Sequence, residues 1–360
     1  MVIDMYINAN IGKAKTAAVA LATAAVCTSI IVFQQSCSKG ALKGISLCLN
    51  VLVPSLFPFM AASTFIVKSG LAQKAGKPLS KITKALFGLS GSFAPVILLS
   101  MLGGYPVGAK GISQLYESKA ACESECKRAA MFAVCAGPGF IISFVGASLY
   151  NSSAVGLIIF GSQIISVIFT GFILKLFAKS HDNCDAEKKT SVKPVSVSAA
   201  IVDSAAEGAK GILSICAFVV LFSAFTEIIS QVISKNFAKG AVYCLFEVCS
   251  AVNFLSSEST LEMSAFAIGF GGLCVHFQIF SALGKLKISK VLFFLVRIIQ
   301  GIITAFLVYL GTKLFPVSTQ VFSTSAIDSP EIYGGTVISA AALIGASICF
   351  LYSIKSIKQK

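Results

Sequence analysis

The chain returns again and again to uninterrupted apolar runs close to the ~20 residues that an α-helix needs to cross a bilayer's hydrocarbon core. About eight such runs occur, over residues 16–34, 45–68, 128–149, 153–177, 211–233, 261–283, 290–312 and 335–354. A soluble domain carries about 25% charged residues, whereas this chain carries 12%, with 56% hydrophobic residues. The sequence therefore predicts an all-α polytopic membrane protein. Two less regular segments, 86–118 and 240–258, are expected to enter and leave the membrane on one face.

The formal net charge of +14 reports topology rather than a nucleic-acid partner, because of where the lysines fall. Lys13 and Lys15, the group from Lys68 to Lys84, Lys175 to Lys193, Lys285 to Lys290 and Lys355 to Lys360 all belong to one face of an eight-span layout. The opposite face receives the uncharged Tyr150-Asn151-Ser152 and the 316–334 loop with Asp328 and Glu331. Lys39, Lys43, Lys235, Lys239 and Lys313 are the exceptions. The positive-inside rule then places both termini in the cytoplasm. The first run has no small-x-small cleavage site after it and reads as a retained anchor rather than a signal peptide.

Twelve cysteines are spread along the chain, several in mid-span, where Cys behaves as a small apolar residue. Cys122 and Cys126 have a metal-like spacing but no second ligand pair, so no metal site is expected. No HExxH, phosphate-binding loop or nucleophile constellation occurs, so the chain is not expected to be an enzyme and no cofactor is expected.

The polar stretch around 179–199 divides the apolar chain into two halves with the same order of parts. Each opens on Lys-Gly-Ile (Lys43 or Lys210), passes a lysine-bearing interfacial stretch and an irregular segment, then a span broken by Gly or Pro, then a regular closing span. The layout is an anchor over 1–42, a first repeat over 43–178, a linker over 179–199, a second repeat over 200–315, and an outer loop with a last helix over 316–360. Because each unit holds an odd number of full spans, the second must lie upside down relative to the first. Inverted repeats with interrupted helices place binding sites near the membrane midplane.

Unpaired backbone survives at membrane depth only when it is buried in protein or faces a water-filled cavity. The broken segments therefore mark a candidate solute site, namely Gly104, Tyr105, Pro106, Gly137, Pro138, Gly271 and Gly272, with Asn253 in the second irregular segment. Ionisable and polar groups in the spans join them, since such groups usually face a pathway or a partner. Lys110 either meets a carboxylate or snorkels to the surface, and Glu247 holds the matching place in the second half. His276 and Gln278 follow the Gly271 break; the His either contacts solute or is satisfied by a neighbouring carbonyl. Arg297, deep in its span, is expected to pair with Glu227 or Glu247.

Val53-Pro54-Ser55-Leu56-Phe57-Pro58-Phe59, Gly104-Tyr105-Pro106-Val107-Gly108-Ala109-Lys110, Gly137-Pro138-Gly139-Phe140-Ile141-Ile142 and the run Gly269 to Gln278 together resemble the sporulation integral membrane protein YlbJ (SpoVV) family. That family is similar in turn to the nucleoside-recognition or gate membrane domains. The resemblance covers residues 45–312. It implies a role in endospore formation, with dipicolinate, a planar dianion, crossing the outer forespore membrane. The alternatives are a nucleoside-type transporter or a non-transporting scaffold. The expected partners are the bilayer and a small-molecule solute, either an anionic aromatic dicarboxylate or a nucleoside, with homo-oligomerisation left open.

Overall fold

A computed structural model of the chain describes residues 20–21, 23–69, 71–178, 196–233 and 236–316. The chain divides into two compact units, Met1–Gln320 and Val321–Lys360, and only the first contains described residues. The start of the first anchor with Lys13 and Lys15, nearly all of the 179–199 linker, the 316–334 loop beyond residue 316, and the 335–354 span lie outside the described residues.

The described chain is helical. In order come α1 (Thr23–Val32), α2 (Gln34–Leu47), a π-helical turn (Cys48–Leu52), α3 (Val53–Lys68), α4 (Leu71–Phe87), α5 (Phe93–Gly103), α6 (Tyr105–Glu117), α7 (Glu123–Phe132), a π-helical segment (Gly139–Leu149), α8 (Ser153–Leu176), α9 (Val197–Val232), α10 (Asn236–Phe246), α11 (Val248–Glu258), α12 (Leu261–Phe270), α13 (Gly272–Leu283) and α14 (Lys290–Leu314). Five stretches among the described residues are long and apolar enough to cross a membrane: Gln34–Ile66, Ser153–Leu176, Val197–Gln231, Leu261–Leu283 and Lys290–Leu314. The protein is a polytopic all-α membrane protein.

α14 shows the patterning that a bilayer demands. Leu292, Leu295, Ile299, Ile302 and Phe306 are exposed at helical spacing, while Phe293, Arg297, Gln300, Thr304 and Val308 are buried. The apolar stripe faces outward and the polar one inward, the reverse of a helix in water.

Two boundaries differ from the sequence-based expectation. The reversal expected between residues 34 and 45 is absent: α2 runs through the π turn into α3. The polar letters in this stretch serve helix packing instead. Gly40 and Gly44 bring α2 against the backbone of α9 at Ala224 and Val220, and Lys39 and Lys43 reach Glu227 at 3.7 and 2.9 Å. α9, in turn, begins well before the expected residue 211. The Ser196 hydroxyl caps it by accepting from the Ala199 N–H, and the alanine-rich 199–210 stretch has high helix propensity. Glu207 and Glu227 therefore stand on one helix, about 30 Å apart along its axis, which is the thickness of a hydrocarbon core.

The two irregular segments are helical hairpins. α5 and α6 lie side by side, with Gly108 against Ser100 and Gly111 against Val96. α10 and α11 do the same, with Gly240 near Leu255 and the Tyr243 ring 5.3 Å from that of Phe254. Arms of 11 to 13 residues reach ~16–20 Å, so each hairpin tip sits roughly halfway through a membrane. The following spans are interrupted, at 133–138 between α7 and the π segment and at Gly271 between α12 and α13. Packing partners correspond across the halves: α3 meets α9, α8 meets α14, and each hairpin's outgoing arm meets the other half's broken span, α6 with α13 and α11 with the π segment.

Candidate functional site

Each hairpin tip touches the break in its own half. At the first tip, Gly104 has φ +83°, a conformation open to glycine at little cost, and a Cβ there would lie 3.4 Å from the Gly137 N. At the second, the backbone of Phe246 and Glu247 lies against Gly272, whose φ is +70°, and a Cβ on Gly272 would sit 3.2 Å from the Glu247 N. Gly271, at φ +88°, ends α12 and leads into α13.

The halves are then joined across the middle. The Tyr105 hydroxyl at the first tip donates to the Ile268 carbonyl of α12 at 2.6 Å. Arg297 of α14, fully buried, donates through Nη1 to the Val134 carbonyl at 2.7 Å and to the Gln300 Oε1 at 2.6 Å, and through Nε to the Phe270 carbonyl at 3.2 Å. Its guanidinium also lies 5.5 Å from the Tyr105 ring centroid. Val134 and Phe270 belong to the broken spans of different halves, so one side chain satisfies carbonyls that both breaks release. The expected carboxylate partner is not there: Glu227 is taken by Lys39 and Lys43, and Glu247 is engaged with its own helix. The Glu247 side chain accepts from the Cys249 and Ser250 N–H groups at 2.8 and 2.6 Å and caps α11. Buried carboxylates persist where such donors and a helix N-terminus meet them.

Beside these junctions lie two cavities. The inner one, about 40 Å³, is lined by Gly104, Tyr105, Glu247, Cys249, Cys274 and Gln278 among others. The outer one, about 370 Å³, is lined by Lys68, Lys110, Glu207 and Lys210, with Ser63, Gln114 and Ser214 adding hydroxyl and amide groups. Pro106, Ile215 and Gln278 line both cavities and form their common wall. Glu207 makes ion pairs with Lys110 at 2.6 Å and Lys68 at 3.1 Å, and Asp203 lies 3.7 Å from Lys68.

Of the residues singled out from sequence, Gly104, Tyr105, Pro106, Glu247 and Gln278 line the inner cavity, and Lys110 the outer. Gly137, Pro138, Gly271, Gly272 and Arg297 build the supporting junctions without lining either cavity. Glu247 does not correspond to Lys110, since its place in the second hairpin is that of Gly104 in the first. His276 is enclosed by the rings of Phe270, Phe293 and Phe294 at 5.0–5.7 Å, away from both cavities. Asn253 is exposed on α11. Sequence reasoning missed Glu207, and it read Lys68 only as a topology-setting charge and Lys210 only as the opening of the second repeat. Among the described residues no group of three or more His, Cys, Asp or Glu is placed to hold a metal ion.

The family model described as Gate: Nucleoside recognition matches residues 49–179, the stretch from the π turn to the end of α8. The sporulation integral membrane protein YlbJ of Bacillus subtilis (strain 168) is 23% identical, over 84% of this chain and 84% of its own length. No solved structure matches. The chain is thus similar to the sporulation membrane protein YlbJ along most of its length, and residues 49–179 in its first half are similar to the Gate: Nucleoside recognition model.

Proposed function

We propose that the protein is a membrane permease for a small polar or anionic solute, built from two gate-like repeats in opposite orientations. The observation that carries this reading is the pair of adjoining cavities, a lysine-walled chamber that shares Pro106, Ile215 and Gln278 with a smaller space between the two hairpin tips. A chamber of about 370 Å³ falls in the ordinary range for small-molecule sites, roughly 300–1,000 Å³. The inner space of about 40 Å³ has room for about three waters and for no organic solute. The protein in this conformation is therefore open on one side and closed in the middle, and passage requires the tips to separate, as in carriers with broken helices. Opening would break the Tyr105–Ile268 hydrogen bond, while the Arg297 cross-link keeps the broken spans aligned.

Three lysines against Glu207 in the lining and Asp203 beside Lys68 still leave the outer chamber a cationic surplus, which favours a carboxylate-bearing solute. The likeness to a sporulation protein makes dipicolinate in endospore formation the finer reading, with the lysine-rich face cytoplasmic and the outer forespore membrane as its place. A nucleoside is the second reading, favoured by the Gate description and by the uncharged Gln278 amide at the common wall. The test is uptake by proteoliposomes of a panel of aromatic dicarboxylates and nucleosides. Saturable uptake of a dicarboxylate, weakened by Lys110→Gln, supports the first reading, and charge-independent nucleoside uptake supports the second. Absence of uptake for the whole panel would leave a scaffold.

A further inference from the structure

The outer chamber already contains a carboxylate of its own. Glu207 reaches in from α9, with Oε2 2.6 Å from the Lys110 Nζ and Oε1 3.1 Å from the Lys68 Nζ. The two ammonium groups come from separate helices, α6 and α3, and one carboxylate bridges them with both oxygens. A solute carboxylate would make the same contacts at the same place. The bridge is wet: side-chain exposure is 54% for Lys110, 31% for Lys68 and 29% for Glu207. Ion pairs in such settings are weak and exchange partners readily.

Lys210 completes the arrangement. It lines the same chamber, is exposed, and has no ion pair among the described residues. It stands three positions after Glu207 on α9, a spacing at which oppositely charged side chains on a helix reach one another.

We propose that Glu207 is an internal competitor with two positions. It occupies the Lys68–Lys110 site until a solute carboxylate displaces it, and it then swings along α9 to Lys210. The inference rests on the reading of the outer chamber as the solute site and adds to it how that site selects. A tethered carboxylate acts at high effective concentration, so an anion with no further contacts in the chamber fails to displace it. A carboxylate that also packs in the chamber succeeds. Lys210 meanwhile keeps the displaced Glu207 from facing the chamber as an unpaired charge.

The experiment is equilibrium binding of isophthalate, a planar aromatic dicarboxylate, to the full chain in detergent by titration calorimetry. If the bridge is closed about nine-tenths of the time, removing the competitor raises apparent affinity roughly tenfold. Glu207→Gln should therefore tighten binding, and Glu207→Ala should do so independently; a gain in affinity cannot come from misfolding. Lys210→Gln should weaken binding in the parent protein and leave it unchanged in a Glu207→Gln background. Unchanged or weaker binding in both Glu207 variants, or no isophthalate binding by any form, overturns the competitor. Equal weakening by Lys210→Gln in both backgrounds would make Lys210 a direct solute ligand and overturn the second position. Tightened binding without uptake by the parent protein in liposomes would instead sink the permease reading and leave the competitor standing.

Discussion

Replacing Arg297 by methionine separates a stitch between helix breaks from an ordinary buried charge. Apolar replacement of a buried ion pair is often neutral or stabilising, because both charges leave together. Here the acceptors are the backbone carbonyls of Val134 and Phe270, which no side-chain substitution removes, and the Gln300 Oε1. Methionine, similar in length, fills much of the space and leaves the Val134 carbonyl and the Gln300 Oε1 without their donor, while the Phe270 carbonyl keeps a hydrogen bond with His276. At about 1–3 kcal/mol for each orphaned group, the gross loss is about 2–6 kcal/mol. Relief of the desolvated guanidinium offsets part of this and brings the expected net loss to about 2 kcal/mol. Arg297→Lys should fall between the two, since one ammonium cannot span acceptors that a forked guanidinium reaches together. The assay is SDS titration in mixed micelles followed by circular dichroism, which suits a chain with no tryptophan. Methionine and lysine variants both within ~0.5 kcal/mol of the parent would refute the reasoning, because two orphaned buried acceptors cannot cost so little.

Three further outcomes are expected. A Cβ at Gly139 would overlap the Ser55 carbonyl of α3, whereas one at Gly161 meets nothing within 4 Å; Gly139→Ala should destabilise by about 1–3 kcal/mol and Gly161→Ala should be neutral, in the same SDS titration. Glu247→Ala removes the acceptor from two N–H groups of α11 and should cost about 1–2 kcal/mol, with Glu247→Gln milder because one acceptor oxygen remains. Gly44→Leu would force α2 off the Val220 backbone and should leave Lys43 and Glu227 unpaired, read as a stability loss of about 1–3 kcal/mol in the same SDS titration.

Much of this was legible from sequence because glycine and proline announce a break. Gly104, Gly137 and Gly271 interrupt apolar runs, and each marks a helix junction in the structure. The Glu247 break was located only as an irregular segment, since a glutamate acting as a membrane-buried helix cap looks like any intramembrane acid until its neighbouring N–H groups are in view. Arg297 was found, but its partners were not: besides Gln300 on its own helix they are carbonyls 27 and 163 residues away in the chain, and such acceptors leave no trace in composition. His276 followed a glycine break and invited a solute role, yet the phenylalanines that enclose it come partly from α14. The chamber's charges were the least legible. Glu207 and Lys210 stood before the hydrophobic run, where a hydropathy window ends the span, while the helix continues to Val197.

The most direct test of the proposed solute path is uptake by liposomes containing Ile215→Trp. Ile215 lines both cavities, so an indole there narrows the proposed passage without removing a charged side chain, a helix-break glycine or Arg297. Uptake of the solute carried by the parent protein should fall at least tenfold while SDS stability drops by no more than ~1–3 kcal/mol. Undiminished uptake through a correctly folded Ile215→Trp protein would mean that the solute travels elsewhere.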